Sequence, residues 1–296
     1  MADLSRALRE MERSADYLVC VDSDGCVFDT MEIKHKECFI PNTINYWNLQ
    51  AISKYAREAA EYVNLYSKFR GINRFPALIE VLDLLSERKE CIRRGFKAQD
   101  IASLRKWSKT ETKLGNPALI AYCKGHPEDA VMQQAMEWSV AINETVEKIV
   151  RGVPPFPFVR ESLAALQGRA DVIVVSATPT DALVREWREH GIDTYVKAIC
   201  GQEMGTKAEC IEMAMRHGYA PDRVLMIGDA PGDYNAARKN GCLFYPINPG
   251  AEEKSWEKFA ETYKDMFLAD AYAGEAQAHL IAEFDGYLPS VPPWKK

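Results

Sequence analysis

The chain has 296 residues, of which 47% are hydrophobic and 27% charged, a composition typical of a soluble globular protein with one large core or two modest ones. Its formal net charge of −6 argues against a general nucleic-acid-binding surface, and no apolar run calls for a membrane span. The eight cysteines include no Cys-x-x-Cys pair and no zinc-ligand spacing, so we expect reduced, packed thiols in a cytoplasmic protein.

The predicted elements begin with a short leading helix, because residues 1–10 are amphipathic but lack the apolar core of a secretory signal. Apolar, strand-like runs follow, and after the first of them they alternate with helical patterns. This alternation predicts an α/β fold with a doubly wound parallel sheet, whose ligands bind beyond the carboxyl ends of the strands. The runs are residues 17–22, 171–176, 196–200, 223–228 and 242–247.

The long interval after the first run has no strand pattern. It contains several helical patterns instead, and the clearest has apolar residues at steps of three and four. We therefore predict an inserted all-α domain at residues 31–155, which leaves residues 1–30 and 156–296 for the domain that contains the sheet. The clearest stripe consists of Val131, Ala135, Trp138, Ile142, Val146 and Ile149.

The first apolar run ends in two carboxylates, Asp22 and Asp24, followed by Gly25. In strand geometry both side chains point to the same side, where their repulsion would be relieved by a cation or a shared proton. The pair thus indicates a metal site, an acid/base site, or both. A surface turn closed by Asp-Gly is the alternative. A calcium loop is excluded by spacing, because its third ligand and its glycine would fall on Cys26 and Val27.

Two later runs also end in polar residues. The run before Ser176 is followed by Thr178 and Pro179, which fit an N-cap and the first helical position, but that interpretation gives Ser176 no role. The run at residues 223–228 ends at Asp229. Asp233, four residues later, could cap the next helix, whereas Asp229 has no such local explanation.

A lysine opens the helix between these two runs. Thr206 and Glu209 have the spacing of a capping box, which places Lys207 in the first helical turn. The helix dipole disfavours a cation at that position. A nearby anion would explain Lys207, and a solvated side chain is the alternative.

In this order, the residues resemble the four motifs of the haloacid dehalogenase superfamily, specifically its phosphatase branch. The resemblance implies a Rossmann-like core and identifies the inserted helices as a cap domain of the first type, about twice the usual length for that class, which contributes to substrate recognition. The matching residues are Asp22-Ser23-Asp24-Gly25 for the first motif, Ser176 for the second, Lys207 for the third, and Asp229 with Asp233 for the fourth.

Phosphoryl transfer needs an in-line nucleophile, neutralised phosphoryl oxygens and a proton for the leaving oxygen. The resemblance implies that Asp22 is the nucleophile, forming an aspartyl-phosphate, and that Asp24 first acts as the acid and then as the base that activates water. It implies magnesium as the cofactor, since the expected ligands are hard oxygen atoms. The expected metal ligands are Asp22, the backbone carbonyl of Asp24 and Asp229; Ser176, Ala177 and Lys207 would bind the phosphoryl group, and Asp233 would orient Lys207 or a water ligand of the metal.

One segment of the predicted cap is a candidate for substrate contact. Around Gly71, one helical pattern ends and another begins, and Arg70, Asn73 and Arg74 flank the break. Guanidinium and amide donors at such a turn could bind a phosphate or carboxylate of the substrate. A solvated turn between two helices is the alternative.

The sequence therefore predicts a magnesium-dependent phosphatase of a small phosphorylated metabolite, with no nucleic-acid or membrane partner. The acid at position 24 separates the chain from the dehalogenases and phosphonate hydrolases of the family, which lack it there. A sugar phosphomutase of the β-phosphoglucomutase kind would use the same core residues and is the main alternative. A ligand-binding protein without catalysis is a third interpretation, which the intact pair of Asp22 and Asp24 disfavours.

Overall fold

The computed structural model describes residues 8–295, so the leading helix predicted for residues 1–10 lies largely outside the described residues. The chain divides into two compact units. The sheet unit contains the residues up to Met31 together with Gly152–Leu288, and the helical unit contains Glu32–Arg151 together with the residues from Pro289 onward. The predicted division differs at the C-terminus, because it placed the whole of residues 156–296 with the sheet.

The sheet unit is built on five parallel strands in the order β3-β2-β1-β4-β5. The chain runs from β1 outward to β2 and β3, then returns to the other side of β1 for β4 and β5, which is a doubly wound arrangement. This confirms the predicted fold class. The strands are β1 (Tyr17–Val21), β2 (Ala170–Val175), β3 (Ala198–Cys200), β4 (Val224–Gly228) and β5 (Leu243–Pro246).

Both faces of the sheet are covered. On β1, Val19 and Val21 pack into one apolar cluster, whereas Leu18 and Cys20 pack into the other, as the side-chain period of two requires. Because each face is buried, the strands read as almost continuous apolar runs. The cluster that contains Val19 and Val21 includes side chains from the helices Val159–Leu166, Thr180–Glu189, Glu252–Lys258 and Lys264–Phe267. The cluster that contains Leu18 and Cys20 includes side chains from the helices Lys207–Met215 and Pro231–Lys239. The helix Glu275–Tyr287 contributes side chains to both clusters.

The helical unit contains no strand in residues 32–151, all of which the structure describes. Its longest helix carries the predicted apolar stripe, whose central members Ala135, Trp138 and Ile142 are buried. Phe75 packs edge-on against Trp138 and completes the aromatic centre of this core. The inserted segment begins with a short helix, Thr30–Ile33, and a π-helical turn, Lys34–Phe39. The α-helices that follow are Ile40–Tyr46, Ser53–Asn64, Arg74–Glu87, Lys89–Arg93, Ala102–Thr110, Asn116–Gly125 and Ala130–Ile149.

The C-terminal residues belong to the helical unit through specific contacts. Trp294 packs edge-on against Tyr62, with ring centroids 5.7 Å apart, and the Arg88 guanidinium lies 4.5 Å from the Trp294 ring centroid. The Tyr62 hydroxyl donates a hydrogen bond to the carbonyl of Pro289 at 3.2 Å. These contacts explain why the tail groups with the inserted helices, although it follows the last helix of the sheet unit.

Two further features follow from the described structure. All eight cysteines are buried, as expected for packed thiols, and each is free in the described structure. Across residues 8–295, no helix combines the length and the apolar character that a membrane crossing requires.

Candidate active site

The predicted site residues that follow β1, β2 and β4 lie at one edge of the sheet. Val21 pairs with Val174 on one side and with Ile227 on the other, so the three strands end together. The ladder continues for one residue, because the Asp22 N–H donates to the Ile227 carbonyl at 3.0 Å. Parallel pairing thus brings Asp22, Ser176 and Asp229 to neighbouring positions at the carboxyl edge.

A tight turn follows Asp22. The Ser23 carbonyl accepts hydrogen bonds from the N–H groups of Val27 at 2.8 Å and Phe28 at 3.1 Å. Gly25 has a φ of 73°, a left-handed conformation that glycine adopts without steric cost. The turn is not a surface loop, because Asp22 is only 5% exposed and Ser23 is buried. The surface-turn interpretation of the acidic pair therefore does not describe Asp22.

Lys207 occupies the centre of the site. Its ammonium lies 2.6 Å from Asp22 Oδ2 and 2.5 Å from Asp233 Oδ1. The predicted capping box is confirmed: the Thr206 hydroxyl accepts from the Glu209 N–H, and Glu209 accepts in return from the Thr206 N–H. This cap fixes the start of the helix, and the two carboxylates supply the anion that a lysine in its first turn requires.

Asp233 is fully buried and uses both of its oxygens. Oδ1 accepts from Lys207, and Oδ2 accepts from the Ala230 N–H at 3.0 Å. The side chain therefore fixes the turn after β4 and orients Lys207 at the same time. Capping alone does not describe its role.

The electrostatics of the site are set by burial. Burial raises the pKa of Asp22 to about 6, although the Lys207 ammonium and the Ser23 N–H act in the opposite direction. Burial also raises the pKa of Asp233. Burial alone would lower the pKa of Lys207, but the Asp22 and Asp233 carboxylates outweigh it and raise that pKa above its ordinary value. Lys207 thus stays protonated, and a single ammonium faces several buried carboxyl groups.

These carboxyl groups fit a divalent metal. Candidate ligand atoms of Asp22, Asp229 and Asp233 all lie within 4.8 Å of one another, and Asp229 is only 1% exposed. Hard carboxylate oxygens in a buried, negatively charged cluster are the donors that magnesium prefers. Both oxygens of Asp233 already accept protein hydrogen bonds, and so do both oxygens of Asp22, so hydrogen bonding does not rank these two residues as ligands. Asp22 and Asp229 stay the predicted ligands.

Asp24 is held apart from this cluster. Its Oδ2 accepts a hydrogen bond from the Thr178 hydroxyl at 2.6 Å, and its Oδ1 accepts from the Thr30 hydroxyl. The Asp24 side chain is therefore bound by Thr178 of the loop after β2 and by Thr30. It is not part of the carboxylate cluster of Asp22, Asp229 and Asp233. A metal contact through the backbone carbonyl of Asp24 stays a prediction.

The loop after β2 places Ser176 and Ala177 next to one another in different environments. Ser176 is 5% exposed, and its N–H donates to the Cys200 carbonyl at 2.9 Å. Its hydroxyl accepts from the Thr178 N–H at 3.3 Å. Ala177 is exposed. The interpretation of Thr178 as an N-cap is wrong, because the following helix begins at Thr180 and is preceded by Pro179 without a side-chain cap.

The three substrate candidates in the helical unit have structural partners there. Arg70 is 3% exposed and donates to the Leu65 carbonyl at 2.8 Å. Asn73 caps the helix Arg74–Glu87 by accepting from the Phe75 N–H at 3.0 Å. The segment is therefore not a simple solvated turn, and a role in substrate binding remains a prediction.

Arg74 is bound more extensively. Its guanidinium donates to the carbonyl and hydroxyl of Ser139, at 3.1 and 3.0 Å, and to Asn143 Oδ1 at 2.8 Å. It also lies 5.0 Å from the centroid of the Phe39 ring. Burial lowers its pKa to about 10. These contacts join the helix that Arg74 opens to the helix Ala130–Ile149.

Four residues at the site have contacts that the sequence did not predict. Thr30 and Thr178 hold Asp24, Glu203 accepts from the N–H and hydroxyl of Thr180, and Gly228 makes room for Asp233. Gly228 is the last residue of β4 and precedes Asp229, which is a sequence signal, whereas Thr30, Thr178 and Glu203 lie two or more residues from the nearest motif residue or strand end.

Comparison with known proteins supports the resemblance of the motifs. The sequence model of the haloacid dehalogenase-like hydrolase family matches residues 100–246, which include β2 to β5 and the residues Ser176, Lys207, Asp229 and Asp233. The chain belongs to the haloacid dehalogenase superfamily. The first motif lies outside the matched range, and its residues are joined to the rest of the motifs by the geometry of the sheet. No curated protein matches the chain.

Several solved structures are similar to this member of the superfamily. A haloacid dehalogenase-like hydrolase from Streptococcus pneumoniae is 14% identical over 82% of this chain and 91% of its own, with a TM-score of 0.49. A predicted phosphoglycolate phosphatase from Haemophilus somnus is 16% identical over 80% of this chain and 87% of its own, with a TM-score of 0.45. A protein proposed to be a β-phosphoglucomutase, from Thermotoga maritima, is 14% identical over 84% and 99%, with a TM-score of 0.42. At these scores the likenesses carry no argument about the substrate.

Proposed function

We propose that this superfamily member is a magnesium-dependent phosphatase that hydrolyses a small phosphorylated metabolite through an aspartyl-phosphate intermediate. The observation that carries the proposal is the position of Lys207, whose ammonium lies within 2.6 Å of both Asp22 and Asp233 at the edge of the sheet where Asp229 also lies. A fixed cation beside a buried carboxylate is the arrangement that a dianionic phosphoryl group needs in order to approach a carboxylate nucleophile.

The binding step assigns roles to three residues. The Lys207 ammonium and the Ser176 hydroxyl would donate to the phosphoryl oxygens, together with the backbone N–H of Ala177. A bound magnesium ion would neutralise phosphoryl charge beside Asp22 and Asp229. With the oxygens neutralised, an Asp22 carboxylate oxygen can attack phosphorus in line with the leaving oxygen.

In the first chemical step, Asp22 forms a bond to phosphorus while the bond between phosphorus and the leaving oxygen breaks. Asp24 transfers a proton to that oxygen, so the product leaves as an alcohol. In the second step, Asp24 takes a proton from a water molecule whose oxygen attacks phosphorus, and the bond between Asp22 and phosphorus breaks. Inorganic phosphate is released and both side chains return to their starting states.

The proposal is tested with Asp22→Asn and a panel of phosphorylated metabolites in the presence of magnesium. We expect the variant to lose turnover completely, because an amide cannot act as the nucleophile. Asp222→Asn is the matched control, since Asp222 is an exposed carboxylate at the opposite end of β4. Substantial turnover by Asp22→Asn would contradict covalent catalysis by this residue.

A second measurement separates hydrolysis from phosphoryl transfer within a sugar. The phosphomutase alternative uses the same residues but returns the phosphoryl group to the substrate, so the products must be identified as well as counted. We expect inorganic phosphate in equal amount to the dephosphorylated product. Isomerised sugar phosphate without free phosphate would favour the phosphomutase.

A further inference from the structure

We propose that Thr178 is a positioning residue that fixes the carboxylate of Asp24 relative to the phosphate-binding loop. The inference rests on the proposed function, in which Asp24 is the acid and base of the reaction. Asp24 must reach the leaving oxygen while Ser176 contacts the same phosphoryl group, so the two side chains have to keep a fixed separation.

The carboxylate of Asp24 is held at both oxygens. Thr178 donates to Oδ2 at 2.6 Å, and Thr30 donates to Oδ1. A carboxylate with one hydroxyl donor on each oxygen has a defined orientation about its terminal bond, whereas a carboxylate with one donor can still turn.

The two donors come from different parts of the chain. Thr30 lies six residues after Asp24, so its contact is local to the turn that follows β1. Thr178 is separated from Asp24 by 154 residues and belongs to the loop that follows β2. Of these two contacts, the one from Thr178 ties Asp24 to a second strand end.

Thr178 also touches the phosphate-binding residue of its own loop. Its N–H donates to the Ser176 hydroxyl at 3.3 Å, while its side chain donates to Asp24. One residue thus connects the proposed acid and base to the proposed phosphate ligand. This connection gives the Thr178 hydroxyl a role that helix capping does not, since the helix begins only at Thr180.

The loop after β2 is held by hydrogen bonds to the segment that follows β3. The Thr178 carbonyl accepts from the Gln202 N–H at 3.0 Å, and Glu203 accepts from the N–H of Thr180 at 3.0 Å and from its hydroxyl at 2.7 Å. Gly201 allows this approach, because a Cβ there would lie 2.7 Å from the Thr178 carbonyl oxygen. These contacts fix the backbone at Thr178, which a positioning residue requires.

The test compares Thr178→Val, which removes the hydroxyl but keeps the shape, with Thr178→Ser, which keeps the hydroxyl. Each is assayed on an alkyl phosphate, whose leaving oxygen needs a proton, and on an aryl phosphate, whose leaving oxygen does not. We expect Thr178→Val to lower kcat about tenfold or more on the alkyl phosphate and less than about threefold on the aryl phosphate. Thr178→Ser should restore most of the loss. Thr194→Val, at an exposed threonine near the start of β3, is the control for loss of a hydroxyl.

A double variant shows whether Thr178 acts through Asp24. In the Asp24→Ala background, Thr178→Val should have almost no further effect, because the group that it positions is gone. Equal losses on both substrates, or losses that multiply in the double variant, would overturn the proposal and make Thr178 a structural residue of the loop.

A crystal structure of Thr178→Val tests the proposal without a measurement of turnover. The proposal expects the Asp24 carboxylate to leave its position while Ser176 and Lys207 keep theirs. An unmoved Asp24 would overturn the role of Thr178, whatever reaction the protein catalyses. By contrast, a wild-type protein that hydrolyses no phosphate ester would contradict the proposed function, and the same structure would still decide the positioning of Asp24.

Discussion

The carboxyl group of Asp233 lies directly over Gly228, the last residue of β4. A Cβ at position 228 would lie 2.4 Å from both the Cβ and the Cγ of Asp233, far closer than van der Waals contact allows. A side chain at position 228 therefore cannot coexist with Asp233 in its present place. Since Asp233 also pairs with Lys207, the absence of a side chain at Gly228 is a condition for the geometry of the site.

We accordingly predict that Gly228→Ala displaces Asp233 and, with it, Lys207. Activity should fall by roughly a hundredfold, because displacements of about 1 Å in a catalytic arrangement have effects of that size. Steady-state kinetics with magnesium in excess measure the loss. A crystal structure of the variant should show Asp233 moved away from the Ala230 N–H.

Gly232→Ala is the matched control for this prediction. Gly232 lies in the first turn of the helix Pro231–Lys239, which follows β4, but a Cβ there would meet nothing within 4 Å. We expect full activity and a gain in stability of about 0.5 kcal/mol, since alanine restricts the unfolded chain more than glycine does. If both variants lost activity equally, close packing against Asp233 would not be the reason.

The sequence predicts those features that depend on local pattern. Buried strands have continuous apolar runs, so the ends of β1, β2 and β4 and the residues that follow them could be located from the sequence alone. The capping box at Thr206 and Glu209 and the apolar stripe of the helix Ala130–Ile149 were predicted for the same reason, because each lies within a few turns of one helix.

Contacts between distant segments could not be predicted in this way. The local pattern at Thr178 and Pro179 favours a helix cap, but a tertiary hydrogen bond to Asp24 takes the hydroxyl instead. The position of Arg74 at a break between helices was predicted, whereas the direction of its side chain toward Ser139 depends on the packing of two helices. Sequence periodicity carries no information on either choice.

We next predict that magnesium stabilises the protein through Asp229. At about one hundred times its Kd, the ion should raise the free energy of unfolding by ~2.7 kcal/mol. Asp229→Asn should lose most of this gain and require more magnesium for activity. In EDTA, however, the variant should be at least as stable as wild type, because it removes one of the clustered carboxylates around Asp22 and Lys207.

Thermal unfolding with and without magnesium measures both effects, and Asp222→Asn serves as the control at an exposed carboxylate. EDTA should abolish the activity of the wild type, and added magnesium should restore it. Full activity after removal of all metal would exclude Asp229 from a catalytic metal site.

A further prediction concerns Arg74 in the helical unit. Arg74→Ala should lower the free energy of unfolding by about 1–3 kcal/mol, because Ser139 and Asn143 lose a partly buried, charged hydrogen-bond donor. Arg93→Ala, at an exposed arginine, should change it by less than about 0.5 kcal/mol. Chemical denaturation measures both. An unchanged stability together with a raised KM would instead support Arg74 as a substrate-binding residue.

The last prediction concerns the opposite end of the sheet, where β2 begins. Asp171 is 2% exposed and accepts hydrogen bonds from the Ser14 hydroxyl at 2.6 Å, the Ser14 N–H at 2.8 Å, the Ala15 N–H at 3.1 Å and the Tyr219 hydroxyl at 2.6 Å. Burial would raise the pKa of Asp171, but these hydrogen bonds outweigh it and hold that pKa below its ordinary value. The carboxylate thus ties the segment before β1 to the start of β2.

Because the pKa of Asp171 is lower in the folded protein than in the unfolded chain, its ionised form stabilises the fold above the ordinary carboxyl pKa of about 3.9. As the pH falls below that value, the unfolded chain takes up the proton first and the stabilisation is lost. Asp171→Asn should therefore be less stable than wild type by about 2 kcal/mol at pH 7, since an amide offers one acceptor oxygen to several donors. Urea unfolding at a series of pH values should show a constant gap between about pH 7 and 5 that narrows as the pH approaches 3.5. A gap that stays constant down to that pH would mean that Asp171 acts through shape and not through its charge.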